Sequence, residues 1–247
     1  MAELDRRTVL VALGLLGVAA GPGLAPRAAQ AAVDEMTTDT LSGLAVFVMP
    51  GPDPYSRVQG TPRAEPGAIE ARLPAFLADA LDRYLPAPTL DAGPLVDAIR
   101  RAGFASNATG TIPLSALTAL LLNLEAVLVE PAAAFGPFRS PFARLSYARK
   151  ARVFELIEGP EADLVRLLDA ALPEPLTGTA SGLLRFAGGA LLELAALGGY
   201  GEWAVFDPAT RRPRTTPVGW QDTGYVPSVD GWAEFRGYFQ GRREVGR

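Results

Sequence analysis

The chain contains no histidine and no cysteine, and a single lysine, Lys150, stands among its 23 basic residues. These absences exclude most familiar catalytic plans. There can be no Ser-His-Asp triad, thiol nucleophile, imidazole or thiolate zinc site, histidine-ligated haem or cysteine-held iron–sulfur cluster. No disulfide can staple the fold, so its stability rests on packing or on a partner. A P-loop needs Gly-Lys-Ser/Thr, but Lys150 follows Arg149 and precedes Ala151. Tyr147 precedes Lys150 by one position too few for Tyr-x-x-x-Lys, and Ser146 by one too many for Ser-x-x-Lys. Tyr147 and Lys150 therefore read as exposed side chains on a helix.

Carboxylates remain as catalysts, with Glu155 and Glu158, or Glu193 and Glu202, as conceivable acid/base pairs of a hydrolase. No catalytic residue is assigned to them, because Arg149, Lys150 and Arg152 are natural local partners for the first pair on a solvated helix face. Nor is a metal ligand set assigned. Gly178-Thr179-Ala180-Ser181-Gly182 is not a Gly-x-Ser-x-Gly elbow; it reads as the opening of a helix. Gly198-Gly199-Tyr200-Gly201 reads as that helix's left-handed end.

The N-terminus has the order of an export signal: a polar start to Arg7, an apolar stretch from Thr8 to Ala20, and a Gly/Pro/Ala segment ending in Ala29-Gln30-Ala31. As a helix the apolar stretch would span only about 20 Å, at about 1.5 Å per residue, short of the hydrocarbon core of about 30 Å. A cleaved signal is thus the stronger reading and a permanent anchor the weaker. Arg6-Arg7-Thr8-Val9-Leu10 fits the twin-arginine pattern, although Asp5 stands where Ser or Thr is usual. Arg6, Arg7, Val9, Leu10, Ala29 and Ala31 form the expected signal, residues 1–31, with general secretion as the other route. The protein is expected beyond a bacterial cytoplasmic membrane, in the periplasm or cell envelope.

Without residues 1–31 the chain keeps 20 basic and 25 acidic side chains, a net charge of −5, and about half of it is apolar, which suits a globular core and argues against a nucleic-acid partner. The expected fold is mainly α: a single helical domain over 32–199, then a loop-rich aromatic tail over 200–247 packed on it. Helices are expected at 36–48, 67–84, 113–130, 141–158, 160–171 and 179–198, with short turns over 91–103. Pro50 to Pro54 breaks the chain, a loop runs to about residue 66, and Pro113 suits a first helical turn. Asn123, Glu125 and Glu130 interrupt the apolar 113–130 run, which argues for a buried central helix rather than a membrane span.

All three tryptophans, Trp203, Trp220 and Trp232, fall in the tail, with Phe206, Tyr225, Phe235, Tyr238 and Phe239. One short hairpin is expected there, from Trp203–Phe206 through Asp207-Pro208 toward Pro217-Val218. The aromatics have two readings. They can pin a segment poor in backbone pairing onto the helical body. They can also form a protein interface, with Arg236, Arg242 and Arg243 interleaved.

Val218-Gly219-Trp220-Gln221-Asp222-Thr223-Gly224-Tyr225-Val226-Pro227 resembles the Gly-Trp-x-x-x-Gly-Tyr-Pro element near the end of the small subunit (subunit 3) of gluconate 2-dehydrogenase-like complexes. Here Val226 intervenes before the proline. Met49-Pro50-Gly51 is similar to the Phe-Pro-Gly end of that family's first helix, and Leu145 to Leu156 to its arginine-rich mid-chain helix. The resemblance implies a non-catalytic accessory subunit that binds no cofactor itself. Its partner would be a large FAD-containing dehydrogenase of the glucose-methanol-choline type, often with a cytochrome subunit, which the signal would carry across the membrane in folded form. Trp203, Gly219, Trp220, Gly224, Tyr225, Trp232 and Arg236 are the expected partner-binding residues. A free-standing exported binding protein for an apolar small molecule is the alternative, followed by a carboxylate-dependent hydrolase.

Overall fold

The computed structural model describes residues 26–83, 113–158 and 179–226. The expected elements at 91–103 and 160–171, the Arg6–Leu10 part of the signal, Trp232 and Arg236 lie outside the described residues. Within them the chain is mainly helical, with one two-stranded sheet. No described helix is long and apolar enough to cross a membrane.

Helix α1, Pro26–Val48, starts earlier than the expected 36–48 and passes through Ala29 and Ala31. Every residue from Thr40 to Val46 on it is buried, so this stretch of α1 is enclosed on all sides, with α3 (Leu73–Arg83), α4 (Leu114–Val129) and α6 (Thr179–Tyr200) packed against the helix. Gly43 makes part of this possible. A Cβ there would lie 2.8 Å from the Ala143 Cα, so only a residue without a side chain lets the two backbones meet.

Past Met49 the chain was expected to loop to about residue 66. Instead Pro54–Gln59 forms helix α2. Its capping explains it: the Asp53 carboxylate accepts the Ser56 N–H at 2.8 Å, Pro54 fills the first helical position, and Gly60 closes the helix at φ 87°. Gly51 and Gly67 then pack backbone to backbone, a Cβ on Gly67 lying 2.6 Å from the Gly51 Cα. The Ala68 N–H donates to the Met49 carbonyl across this contact at 2.9 Å.

The helix expected over 67–84 begins only at Leu73, and Tyr84 lies outside the described residues. Pro74 is the reason. It lacks an N–H and its ring collides with the carbonyl four residues back, so it is tolerated only in a first turn. Residues 68–72 are turns, with Arg72 at φ 57°. Leu73, Leu77, Ala80 and Leu81 form the buried stripe of α3.

α4 is the apolar helix expected from Pro113, and Asn123 and Glu125 are both buried on it. Its first turn is capped from α3: the Asp82 carboxylate accepts the Ser115 N–H and hydroxyl at 2.9 and 2.8 Å. The helix expected over 141–158 is split. A 3-10 turn, Phe142–Arg144, gives way to extended backbone at Leu145 before α5, Tyr147–Glu158. Asn123 holds the first part: its Oδ1 accepts from the Phe142 N–H at 3.0 Å and the Ser140 hydroxyl at 2.7 Å. Its Nδ2 donates to the Thr40 hydroxyl at 2.9 Å, which ties α4 and this turn to α1.

α6 continues two residues beyond the expected 198, and the Gly198–Gly201 run is no left-handed cap. Those glycines are contact points: a Cβ on Gly198 would lie 2.3 Å from the Phe76 ring, and one on Gly199 3.2 Å from the Met49 Cε. The hairpin pairs Phe206 with Pro213 and Asp207 with Arg212, rather than reaching Pro217-Val218. Asp207 binds the Ala209 N–H at 3.0 Å inside the turn, and this hydrogen bond holds its carboxyl below the usual range. Val218 instead opens helix α7, Val218–Thr223.

Candidate functional site

The Gly-Trp-x-x-x-Gly-Tyr stretch, expected as part of an irregular tail, is α7 with its C-terminal cap. Each glycine has a separate physical reason. Gly219 lies on the last turn of α6, where a Cβ would come 2.4 Å from the Tyr200 Cα and 2.6 Å from the Gly199 carbonyl oxygen. Gly224 caps the helix at φ 67°, a conformation costly to residues with a Cβ. The cap turns the chain so that the Tyr225 N–H donates to the Trp220 carbonyl at 2.9 Å, and the two rings meet edge to face, 5.1 Å between centroids.

Two further contacts fix this unit to the body. Arg63 reaches Asp222 at 2.9 Å, and the Arg63 N–H donates to the Gly51 carbonyl at 3.1 Å. The Met49-Pro50-Gly51 turn and the Gly-Trp element, far apart in sequence, are thus joined through one arginine. Val218 is buried, whereas Trp203 is 59% exposed, Tyr225 55% and Val226 80%. Leu197 and Tyr200, on the last turns of α6, are exposed beside them. Trp220 is half-buried, and Trp203 leans on Phe206 with 6.4 Å between ring centroids. Of the expected partner-binding residues, Gly219 and Gly224 shape the platform, Trp220 packs into it, and Trp203 and Tyr225 face solvent.

The carboxylate pairs form no comparable site. Glu155 and Glu158 are both exposed on α5; Glu155 pairs with Arg152 at 2.9 Å, while Arg149 pairs with Glu130 at 3.5 Å. Glu193 is exposed on α6 and Glu202 lies past its end. Among the described residues no group of three or more Asp or Glu stands where it could hold a metal ion.

The reading of Tyr147 and Lys150 as an exposed pair is half wrong. Tyr147 is exposed, its ring tilted against that of Phe47 with 4.8 Å between centroids. Lys150 is fully buried. Its Nζ donates to the Gly43 carbonyl at 2.8 Å and to the Gln59 Oε1 at 2.7 Å, and lies 5.4 Å from the centre of the Phe142 ring. Gln59 in turn donates to the Val46 carbonyl at 3.0 Å and the Thr61 hydroxyl at 2.8 Å. Burial pushes the Lys150 amine down to about 7, with the negative charge of Asp53 opposing. The sequence carried a signal for this. Lys150, Val153, Phe154 and Ile157 recur at the spacing of one helix face, and all four are buried, so the lysine occupies a core position.

A second, partly buried cluster stands nearby. The Tyr55 hydroxyl donates to Asp39 at 2.6 Å and its ring stacks on Phe138, 4.1 Å between centroids. Burial, then the Asp39 carboxylate, holds the phenol proton more tightly than usual. Comparison of the chain with protein-family models, curated proteins and solved structures gave no match.

Proposed function

We propose that this chain is a non-catalytic accessory subunit that binds a flavin-dependent dehydrogenase of the glucose-methanol-choline type and escorts it through twin-arginine export. The observation that carries the reading is the aromatic platform: Trp203, Tyr225 and Val226 exposed around a unit anchored by Gly219 and capped by Gly224. Large exposed aromatics on an anchored unit suit a binding hot spot, where Trp and Tyr are enriched and have few rotatable bonds to order on association. FAD belongs to the partner in this reading, a cytochrome subunit can complete the complex, and the export signal accounts for crossing the membrane.

The first test is whether the adjacent gene encodes a large flavoprotein lacking its own export signal, and the second is co-expression with that protein. Replacing Arg6-Arg7 by lysines should leave the dehydrogenase activity in the cytoplasm together with this chain. Trp203→Ala combined with Tyr225→Ala should weaken the purified complex by roughly 10- to 1,000-fold in Kd, with the helical content unchanged. Export of the flavoprotein without this chain, or dehydrogenase activity of this chain alone, would overturn the assignment.

A further inference from the structure

Lys150 is the one lysine of the chain, and it occupies the core rather than the surface where charged side chains belong. Both of its hydrogen-bond partners, the Gly43 carbonyl and the Gln59 side-chain carbonyl, are neutral. A neutral amine has two N–H donors, which matches these two acceptors; an ammonium has three and brings a charge. An arginine could not serve here, since it keeps its charge at every accessible pH.

Among the described residues, no charged group on the surrounding elements is hydrogen-bonded to Lys150. Asp53, at the start of α2, acts on the amine through charge, but its carboxylate accepts from the Ser56 N–H and hydroxyl. Asp39 on α1 binds Tyr55 and the Arg139 N–H. Arg144 in the 3-10 turn donates to the Ala133, Pro137 and Phe138 carbonyls. On α5 itself, Arg149 and Arg152 pair outward with Glu130 and Glu155. Glu125 is buried on α4, and Glu193 on α6 is exposed.

We propose that Lys150 sits in the fold as a neutral amine whose protonation is a built-in pH switch, releasing the Gln59 end of α2 from α1. Gaining a third proton places an ion in an apolar setting without a hydrogen-bonded carboxylate, a state relieved by moving the amine toward water or Asp53. Either movement abandons Gln59, whose bonds to Val46 and Thr61 hold the end of α2. The Phe142 face favours the charged form, but only as a weak counterweight to the lost hydration. The near-neutral titration produced by burial places the switch in the physiological range.

A single lysine makes the test direct. With lysine labelled by 13C and 15N in the full chain, one side-chain Nζ signal can be followed by NMR from pH 5 to 11. It should pass from ammonium to amine within about one pH unit of 7, against about 10.4 for a free lysine. Backbone amide signals of residues 53–61 should move with the same midpoint. Gln59→Glu, which puts a carboxylate beside the amine, should raise that midpoint by two units or more. A lysine midpoint above 9 in the wild-type chain would overturn the proposal, as would amides of 53–61 that stay unchanged through the transition. A Gln59→Glu midpoint equal to wild type would overturn the seat assigned to Gln59.

Discussion

Asn123 has no exposure to solvent and satisfies three neighbours at once, Thr40, Ser140 and the Phe142 N–H. Leucine has similar bulk but would strand the Phe142 N–H in the core, at about 1–3 kcal/mol for a buried group, while Thr40 and Ser140 keep each other and the Met36 carbonyl. Asn123→Leu should therefore lower the unfolding free energy in urea by about 1–3 kcal/mol. Arg152→Ala, which breaks an exposed pair, should change it by less than about 1 kcal/mol. Lys150 adds a pH dependence of definite sign. Its folded pKa, about 7, lies below the unfolded value of 10.5, so between them the unfolded chain binds more protons and stability rises with pH. The contribution is present above the unfolded value and lost as pH falls toward 7. Wild type minus Lys150→Met should show this slope, up to about 1.4 kcal/mol per pH unit, in urea midpoints measured between pH 7 and 10.

At the scale of elements, α7 depends on two glycines for different reasons, and their replacements should differ accordingly. Gly224→Ala keeps the packing and imposes a left-handed backbone on a residue with a Cβ, costing about 1 kcal/mol. Gly219→Ala drives a methyl group into the Tyr200 backbone, so α7 has to lift off α6. Amide hydrogen exchange over 217–226 should accelerate strongly in Gly219→Ala and weakly in Gly224→Ala, with α4 unaffected in both. These contacts also mark how far the sequence could be read. Long apolar stretches made α1, α4 and α6 legible, because helical periodicity accumulates over many turns. α2 was missed because a six-residue helix has too little periodicity, although its Asp53, Pro54 and Gly60 spelled out the caps. The start of α3 was misplaced by following Ile69 and ignoring Pro74. In the candidate site, Gly219, Trp220, Gly224 and Tyr225 stood out as a motif. Their helical form did not, because it depends on the end of α6, which no local pattern encodes. The depth of Lys150 was missed because charge outweighed its place in the Val153, Phe154 and Ile157 stripe.

For the whole molecule, the platform of exposed aromatics and the helical body are joined by Arg63–Asp222 and by the seat of Gly219 on Tyr200. Tryptophan fluorescence reports on the first, since every tryptophan lies beyond residue 200, and far-ultraviolet circular dichroism on the second. The two urea transitions should coincide; a fluorescence transition at lower urea would show that the C-terminal unit melts separately. The same long reach governs what happens during synthesis. The Gly43 carbonyl waits for an amine 107 residues later, and Thr40 for Asn123 and Ser140, 83 and 100 residues later. At about 5–20 residues per second, the enclosed face of α1 stays naked for roughly 5–20 s after leaving the ribosome. The first described element to be made is among the last to be covered, which makes α1 the natural handle for a chaperone and an early place for a stalled nascent chain to aggregate.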